Sequence, residues 1–421
     1  MANRETRDLE YKSDISNTFL KTISAYANYG EGRIIFGISD DGKVKGIDGD
    51  LEQLCLDIEN KINDSLKPVP SFTLYINKTD KIIELKVIEG LDKPYLYKSK
   101  AFKRSDSSTV EVDRLELNRL ILEGINQNYE QLPAYNQDLI FKSLKAELIE
   151  VLDIKKVNMD ILKTLDLYSD KNGFNRAAEL LADINDFPGL DMVRFGKNID
   201  EFLDRQSIQH ISVIDQFNQG VTLFRKYYQY EVVEGSKRNK IETIPEKAFR
   251  EVLANSIVYR VWDTRSAIKI SMYDDRVEIS YPGGLPFGIS KGEYLHGQGT
   301  LLRNPILASV FFKLGYIEKF GTGSRRINYS YEESIFKPEF IVFENSIKVI
   351  LPLLKKDLNV LNKEERLVFD LLKSGKASTR LEIESSTQWN KSKVIRVLNL
   401  LIDKNSIKRI GQGIATKYTL L

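Results

Sequence analysis

The sequence predicts a multidomain α+β protein, and three observations predict this class. The chain has 421 residues, and because a domain usually holds about 100 to 200 residues, that length suggests roughly three domains. The composition, with 42% hydrophobic and 29% charged residues but only 25 Gly and 11 Pro, is typical of a globular protein. Stretches with helical spacing alternate along the chain with pairs of short strands joined by turn residues.

Composition also excludes several kinds of protein and site. No apolar run approaches the roughly 18 residues of a membrane span, and the start MANRETRDLEYK has no apolar signal core. We therefore expect a cytoplasmic protein with no membrane contact. One cysteine, Cys55, and two histidines, His210 and His296, exclude an internal disulfide and a His/Cys zinc site. Any catalytic metal should bind carboxylates, and the net charge of +2 indicates no strong partner preference.

Residues 1–125 are predicted to form a small α+β domain. Residues 14–28 carry apolar side chains at helical spacing up to Gly30, and residues 51–66 form a second amphipathic helix. Three hairpins are expected, the first with an Asp-Gly turn: 33–38 with 43–47, 72–76 with 81–87, and 95–98 with 101–104.

Residues 126–240 are predicted to be a mostly helical connector between this domain and a second one at residues 241–358. The connector helices are expected at 137–152, 159–165, 175–184 and 208–230. The second domain should contain a helix at 245–259, strands at 267–273 and 276–281, a helix at 305–314 and a further helix that opens at Gly321-Thr322-Gly323-Ser324.

Residues 359–421 predict a winged helix, with helices at 363–373, 379–386 and 391–404 and strands at 407–410 and 415–420. The third helix should bury one apolar stripe: Val394, Val397, Leu398 and Leu401. Basic residues lie at the start of that helix and on the wing, as expected for contact with DNA: Lys391, Lys393, Arg396, Lys408, Arg409 and Lys417. The alternative is a winged helix that docks proteins.

The first domain resembles the Schlafen-type AlbA domain. The resemblance rests on ETRDLEYK at residues 5–12, AYANYGEG at 25–32, the strand and turn at 34–46, and PYLYKSKAFKRSDSS at 94–108. One departure is Glu31, where the family usually has glycine. The resemblance implies contact with nucleic acid, and the basic residues of the last hairpin suit a phosphate backbone: Lys98, Lys100, Lys103 and Arg104.

Aromatic residues interleave with these cations. Tyr95, Tyr97 and Phe102 could stack on unpaired bases, although aromatic residues that alternate along strands usually belong to the core.

Some members of the Schlafen family are ribonucleases that use clustered carboxylates. The resemblance carries these carboxylates over to Glu5, Glu10 and Asp40, with Asp41 as the alternative in the turn. Three carboxylates could hold Mg²⁺ or Mn²⁺ and activate water. The alternatives are an ordinary turn acid and a surface ion pair of Glu10 with Lys12, and binding without cleavage is favoured.

The second domain resembles the divergent histidine-kinase-like (GHKL) ATPase fold. Glu251 and Asn255 lie four residues apart on one helical face. The remaining signature is Arg250, Tyr259-Arg260, Asp263, Pro282-Gly283-Gly284-Leu285-Pro286, Arg303-Asn304-Pro305 and Glu318-Lys319-Phe320-Gly321-Thr322-Gly323. The resemblance implies that ATP binds with Mg²⁺, that Asn255 holds the metal and that Glu251 activates water.

The glycine segments of this domain should contact the phosphate groups through backbone amides: Gly283, Gly284, Gly321, Thr322 and Gly323. Ser280-Tyr281-Pro282 stands where the family has the acid that contacts adenine. The alternative is a degenerate fold that serves as a scaffold or dimerisation surface. No Gly-x-x-x-x-Gly-Lys-Ser/Thr phosphate loop occurs in the sequence, which excludes a helicase motor of that kind.

Taken together, the domains favour a nucleic-acid-binding regulator of the prokaryotic transcriptional-regulator type, with binding that ATP could gate. The alternative is a metal-dependent ribonuclease of the Schlafen type, for example in defence against foreign nucleic acid. DNA, RNA or both are the expected partners, and a homodimer stays open. The two functions separate on whether Glu5, Glu10 and Asp40 converge in the fold.

Overall fold

In the computed structural model, the residues described are 4–234, 237–286, 289–295, 301–317, 323–354, 362–372, 377–403, 406–411 and 416–420. The chain divides into two compact units. The first holds Met1–Asn185, Val261–Arg265 and Arg303–Val310, and the second holds Asp186–Arg260, Ser266–Leu302 and Phe311–Leu421. The predicted connector at 126–240 is therefore not a separate body, because the division falls inside it.

The first unit begins with the predicted α+β domain. Its elements are β1 (Leu9–Lys12), α1 (Phe19–Tyr29), β2 (Gly32–Phe36), α2 (Leu51–Ser65), β3 (Leu66–Lys67), β4 (Phe72–Asn77), β5 (Ile82–Val87), β6 (Leu96–Tyr97), β7 (Phe102–Ser105), β8 (Ser108–Glu111) and α3 (Arg114–Gly124). Four strands form a mixed sheet in the order β1-β2-β5-β4, in which β1 and β2 are parallel. The apolar stripe of α1 packs on this sheet, and Phe19 and Ile23 are fully buried there.

Two of the three predicted hairpins in this domain are reduced to a turn with an isolated antiparallel bridge. At the first hairpin the turn is present, because the Ser39 amide donates to the Lys43 carbonyl at 3.0 Å. Its strand pairing is limited to a bridge between Ile38 and Val44, because β1 occupies one edge of β2 and β5 occupies the other. At the last hairpin, Tyr97 and Lys100 form an isolated antiparallel bridge, while the longer pairings are those of β6 with β3 and of β7 with β8. The central hairpin of β4 and β5 is confirmed.

The rest of the first unit is mainly helical. It contains a 3-10 turn at Tyr129–Gln131, α4 (Lys142–Leu152), α5 (Met159–Thr164), β9 (Tyr168–Ser169), β10 (Gly173–Phe174) and α6 (Arg176–Leu181). The predicted helices exist with shorter bounds. Capping side chains fix the first residue of two of them. Asn158 caps α5 and Asn175 caps α6, each by accepting a hydrogen bond from a backbone amide of the first turn.

The second unit begins in the part of the chain that was predicted as connector. Its elements up to the last sheet strand are β11 (Leu190–Phe195), β12 (Phe202–Ile208), α7 (Val213–Tyr228), β13 (Gln229–Glu234), β14 (Lys237–Glu242), α8 (Glu246–Tyr259), β15 (Ile268–Met272), β16 (Arg276–Pro282), α9 (Lys291–Leu295), α10 (Pro305–Lys313, shared with the first unit), α11 (Gly323–Tyr329), β17 (Glu339–Val342) and β18 (Ser346–Pro352). Six strands form one sheet in the order β12-β11-β15-β16-β18-β17. Strands β11 and β12 thus belong to the second domain, whose predicted start at 241 is too late.

The C-terminal part of the second unit contains three helices and a small sheet. The elements are α12 (Lys363–Leu372), β19 (Ser378–Thr379), α13 (Arg380–Thr387), α14 (Lys391–Asp403), β20 (Ile407–Ile410) and β21 (Lys417–Leu420), with strand order β19-β21-β20. The predicted apolar stripe of α14 is confirmed, because all four side chains are fully buried in one core. Among the described residues, no helix combines the length and apolar character needed to cross a membrane.

Candidate nucleic-acid and nucleotide sites

The basic residues of the first domain do not form one exposed patch. Lys100 pairs with Glu111 at 2.7 Å and Lys103 pairs with Glu116 at 2.5 Å. Lys98 is exposed beside the ring of Tyr97. Arg104 is buried, so it cannot serve as the surface phosphate contact that the sequence predicts. Lys98 is therefore the cation of this set that is most available to a ligand.

The aromatic side chains between these cations belong to the core. Tyr95, Tyr97 and Phe102 are 4%, 5% and 6% exposed and pack in the same apolar cluster as α1. The prediction that they stack on bases is wrong, and the alternative stated with it is right. Their alternation along the chain places them on the inward face, as is usual for aromatic residues in strands.

A buried ion-pair network occupies the position of the predicted nuclease carboxylates. Arg104 donates from Nη1 to Oε2 of Glu10 at 2.7 Å, and both side chains are about 5% exposed or less. Lys12 contacts the other oxygen of Glu10 at 2.6 Å. Arg104 also donates to Thr109 Oγ1 and to the carbonyl of Thr6. Glu10 thus forms ion pairs with two cations.

The other two acids have separate surroundings. Glu5 accepts a hydrogen bond from the backbone amide of Tyr11 at 2.9 Å, and Asp40 is exposed in the turn. In the part of the chain that the structure describes, no three His, Cys, Asp or Glu side chains are grouped so that they could hold a metal ion. The convergence that the nuclease hypothesis requires is absent from these residues.

In the second domain, Glu251 and Asn255 lie together, as their spacing on α8 predicts. Asn255 donates from Nδ2 to Oε1 of Glu251 at 3.2 Å. Within the described residues, no donor contacts the Asn255 carbonyl oxygen, and an uncharged oxygen of this kind is a ligand that Mg²⁺ accepts. Arg326 of α11 lies 3.9 Å from the second oxygen of Glu251, so the carboxylate also faces a cation.

Gly323 at the start of α11 lies directly against this pair. A Cβ at this position would lie 2.6 Å from Oε1 of Glu251 and 2.8 Å from Nδ2 of Asn255. Any larger residue would therefore have to displace the ends of these two side chains. Gly321 and Thr322, which were predicted to contact phosphate with Gly323, lie outside the described residues.

Gly283 and Gly284 serve packing in the structure. Gly283 has φ of 104°, which favours glycine, and its amide donates to the carbonyl of Asn345 at 2.9 Å. A Cβ at Gly284 would lie 2.2 Å from the carbonyl oxygen of Glu344. These contacts hold the end of β16 against the turn between β17 and β18. Tyr281, two residues before Gly283, is buried, and its hydroxyl lies 3.4 Å from that of Tyr294.

The basic residues of α14 lie beside an acid that sequence reasoning missed. Glu364, in the first turn of α12, pairs with Lys393 at 2.8 Å and with Arg396 at 2.6 Å. The neighbouring Lys393 holds the pKa of the Glu364 carboxyl below its usual value. Lys391 is exposed and has no ion pair within the described residues. Lys408 and Arg409 are exposed on β20, and Lys417 is exposed on β21.

Two family models match parts of this chain. Residues 5–113 match the model described as "Schlafen, AlbA_2", and residues 265–351 match the model described as "Putative ATP-dependent DNA helicase recG C-terminal". These matches show a Schlafen AlbA_2 domain and a RecG-like ATPase-type domain, and so confirm that part of the two resemblances. Helix α8, with Glu251 and Asn255, precedes the second matched range.

Among solved structures, the chain is similar to the crystal structure of the DIP2311 protein from Corynebacterium diphtheriae. The similarity covers 99% of this chain and 92% of that chain, with a TM-score of 0.50 and 17% sequence identity. At this identity the similarity concerns the fold alone. No curated protein matches the chain.

Proposed function

We propose that this protein is a nucleic-acid-binding regulator whose binding is gated by ATP and Mg²⁺. The observation that carries the proposal is the presence in one chain of a Schlafen AlbA_2 domain and a domain similar to the C-terminal part of an ATP-dependent DNA helicase. The first domain implies nucleic acid as the partner. The second implies binding of a nucleotide. A regulator whose nucleic-acid binding depends on a nucleotide combines both functions.

The geometry around Glu251 supports a nucleotide site in the second unit. Asn255 would hold Mg²⁺ through its carbonyl oxygen, and the backbone at Gly323 would approach the phosphate groups at the start of α11. Bound Mg²⁺ would neutralise phosphate charge. Glu251, which is 7% exposed, would accept a proton from water, while Arg326 offers a cation to developing negative charge.

The C-terminal helices and sheet support contact with duplex DNA. We interpret them as a winged helix, because three helices are followed by an antiparallel pair, β20 and β21. In this arrangement α14 is the recognition helix and Lys391 lies at its exposed start. Lys408 and Arg409 on β20 would contact phosphate groups.

The ribonuclease alternative has less support. It requires Glu10 to bind a metal ion, yet that carboxylate already contacts Arg104 and Lys12. A divalent cation would have to displace two cations from a buried site. The same ion pairs give Glu10 and Arg104 a structural role without any cleavage, because they tie β1 to β7.

Affinity selection tests the proposal. The full chain is mixed with pools of random RNA, single-stranded DNA and duplex DNA, and the retained molecules are sequenced with and without ATP and Mg²⁺. We expect retention of at least one pool and a change in its amount or sequence when ATP and Mg²⁺ are added. Retention that ignores the nucleotide contradicts gating, and the absence of any retained pool contradicts the proposed function.

A further inference from the structure

A cavity of about 340 Å³ opens in the first unit beside the buried ion-pair network. Its walls include Tyr26 and Tyr29 of α1, Arg104 of β7, and the segment that leads into β1. This volume lies near the lower end of the range for small-ligand sites, which is about 300 to 1,000 Å³. None of Glu5, Glu10 or Asp40 lines the cavity, although Arg104, which contacts Glu10, does.

The glycines of the AYANYGEG segment shape one wall of this cavity. Gly30 ends α1 with φ of 137°, a conformation that favours glycine. A Cβ at Gly32 would lie 2.3 to 2.5 Å from three ring atoms of Tyr26. The second glycine therefore lets the Tyr26 ring lie close to the backbone at the start of β2, where the ring lines the cavity.

Two side chains in the walls carry polar atoms with unused hydrogen-bonding capacity. The Nε of Arg104 and the hydroxyl of Tyr29 are shielded from solvent and have no hydrogen-bond partner among the described residues. Burial raises the pKa of the Tyr29 hydroxyl, so the group stays protonated and is able to donate. Unpaired buried polar groups are costly, and both of these atoms belong to side chains that line the cavity.

The rim of the cavity carries charges of both signs. Arg7 is exposed and makes no hydrogen bond or ion pair within the described residues. Asp8 and Glu31 place two carboxylates at the same rim, and a hydrogen bond from Thr6 lowers the pKa of the Asp8 carboxyl. These acids disfavour a bare polyanion. They suit a flat ligand that has N–H donors and only one or two phosphate groups.

From this combination we infer that the cavity binds one nucleobase with its attached phosphate. The base packs against the rings of Tyr26 and Tyr29, its amino group donates to a rim carboxylate, and the phosphate contacts Arg7. The base belongs to a single-stranded nucleic acid or to a free nucleotide, and the first source rests on the proposed function. Bases with an exocyclic amine should bind more tightly than uracil, which lacks that group.

The test compares labelled single-stranded decamers that carry bases with decamers of the same length whose positions are all abasic. Binding to the full chain is measured by fluorescence anisotropy. Arg7→Ala is the main variant, because Arg7 is exposed and its loss should leave the fold intact. Tyr29→Ala removes a wall, Tyr29→Phe keeps the ring, and Lys78→Ala is the matched control for loss of an exposed cation outside the cavity.

We expect Tyr29→Ala to weaken binding of the base-containing strand at least about fivefold, the lower limit for loss of one base stack. Arg7→Ala should weaken it by a similar factor through loss of the phosphate contact. Lys78→Ala should bind like the wild type. The abasic strand should bind more weakly and should not respond to Tyr29→Ala. Calorimetry with AMP, CMP, GMP and UMP tests the free nucleotide as the source.

The outcomes separate this inference from the proposed function. Wild-type binding that neither variant weakens, together with no binding of any monophosphate, overturns the inference and leaves nucleic-acid binding standing. Binding of a monophosphate that Arg7→Ala weakens, without binding of any strand, supports the cavity and contradicts the proposed function. Absence of all binding overturns both.

Discussion

The buried pair of Glu10 and Arg104 provides a sharp test of structural against catalytic roles. In Glu10→Gln the charge of Arg104 would stay in the interior without its counter-ion, although its bonds to Thr6 and Thr109 remain. Both side chains are about 5% exposed or less, so solvent cannot replace the lost charge. Removing one partner of such a pair costs about 3 to 5 kcal/mol of folding free energy.

This cost should appear as a lower midpoint of thermal unfolding. For a unit of this size, each kcal/mol corresponds to roughly 2 to 4 °C, so the transition of the first unit should fall by about 10 °C. Calorimetry of the full chain measures it, and hydrogen exchange of β1 and β7 assigns the shifted transition to this domain. A catalytic carboxylate that merely binds metal would show little change or a gain in stability.

The double variant Glu10→Met with Arg104→Met is the control. It removes both charges and replaces them with apolar groups, so it should be less destabilised than Arg104→Met alone, which leaves Glu10 without its principal partner. Glu10→Gln with an unchanged midpoint and with loss of a chelator-sensitive RNA cleavage would refute this reasoning and would restore the nuclease hypothesis.

Three further predictions concern other sites. Glu364→Gln should free Lys393 and Arg396 of α14, so the affinity for duplex DNA should increase severalfold and should fall more steeply with salt concentration on logarithmic axes. Weaker or equal binding measured by anisotropy contradicts this. Gly323→Ala should abolish ATP–Mg²⁺ binding measured by calorimetry, because its Cβ would lie 2.6 Å from Glu251. The control Gly292→Ala, whose nearest contact is 3.8 Å, should bind normally. Equal binding by both variants would rule out a site at the start of α11. Burial raises the pKa of Glu130 to about 7, although its bonds from two amides of α10 act oppositely. Because the folded pKa is the higher one, the contribution of Glu130 to stability should be greatest below about pH 4.5 and decrease by up to about 3 kcal/mol towards pH 7. Glu130→Gln should remove that pH dependence from urea unfolding curves, and an unchanged dependence would assign it to other groups.

Local patterns predict the helices well and the strand partners poorly. The periodicity of α1, α8 and α14 identifies each helix and its buried face, because that signal depends only on neighbours along the chain. Strand pairing depends on distant segments. Strand β6 pairs with β3, about 30 residues earlier, and β11 pairs in parallel with β15, so no turn residue marks either contact.

The candidate sites divide in the same way. Glu251 and Asn255 could be brought together from their spacing, since four residues separate them on one helix. The roles of Arg104 and Glu364 could not be predicted in this way. Arg104 depends on a partner 94 residues away in the sequence, and Glu364 on one 32 residues away. Arg7 and Tyr29 lie in two separate segments of the AlbA resemblance, residues 5–12 and 25–32, and only the fold shows that they line one cavity.

Binding of nucleic acid by the full chain at several salt concentrations, with and without ATP and Mg²⁺, tests the central claim most directly. Anisotropy of a labelled duplex and a labelled single strand should show affinity that falls linearly with salt on logarithmic axes. ATP with Mg²⁺ should shift the dissociation constant at least about fivefold, the lower limit of typical coupling between sites. Asn255→Ala should bind nucleic acid and lose that shift. A dissociation constant that is the same with and without ATP and Mg²⁺ would contradict the account.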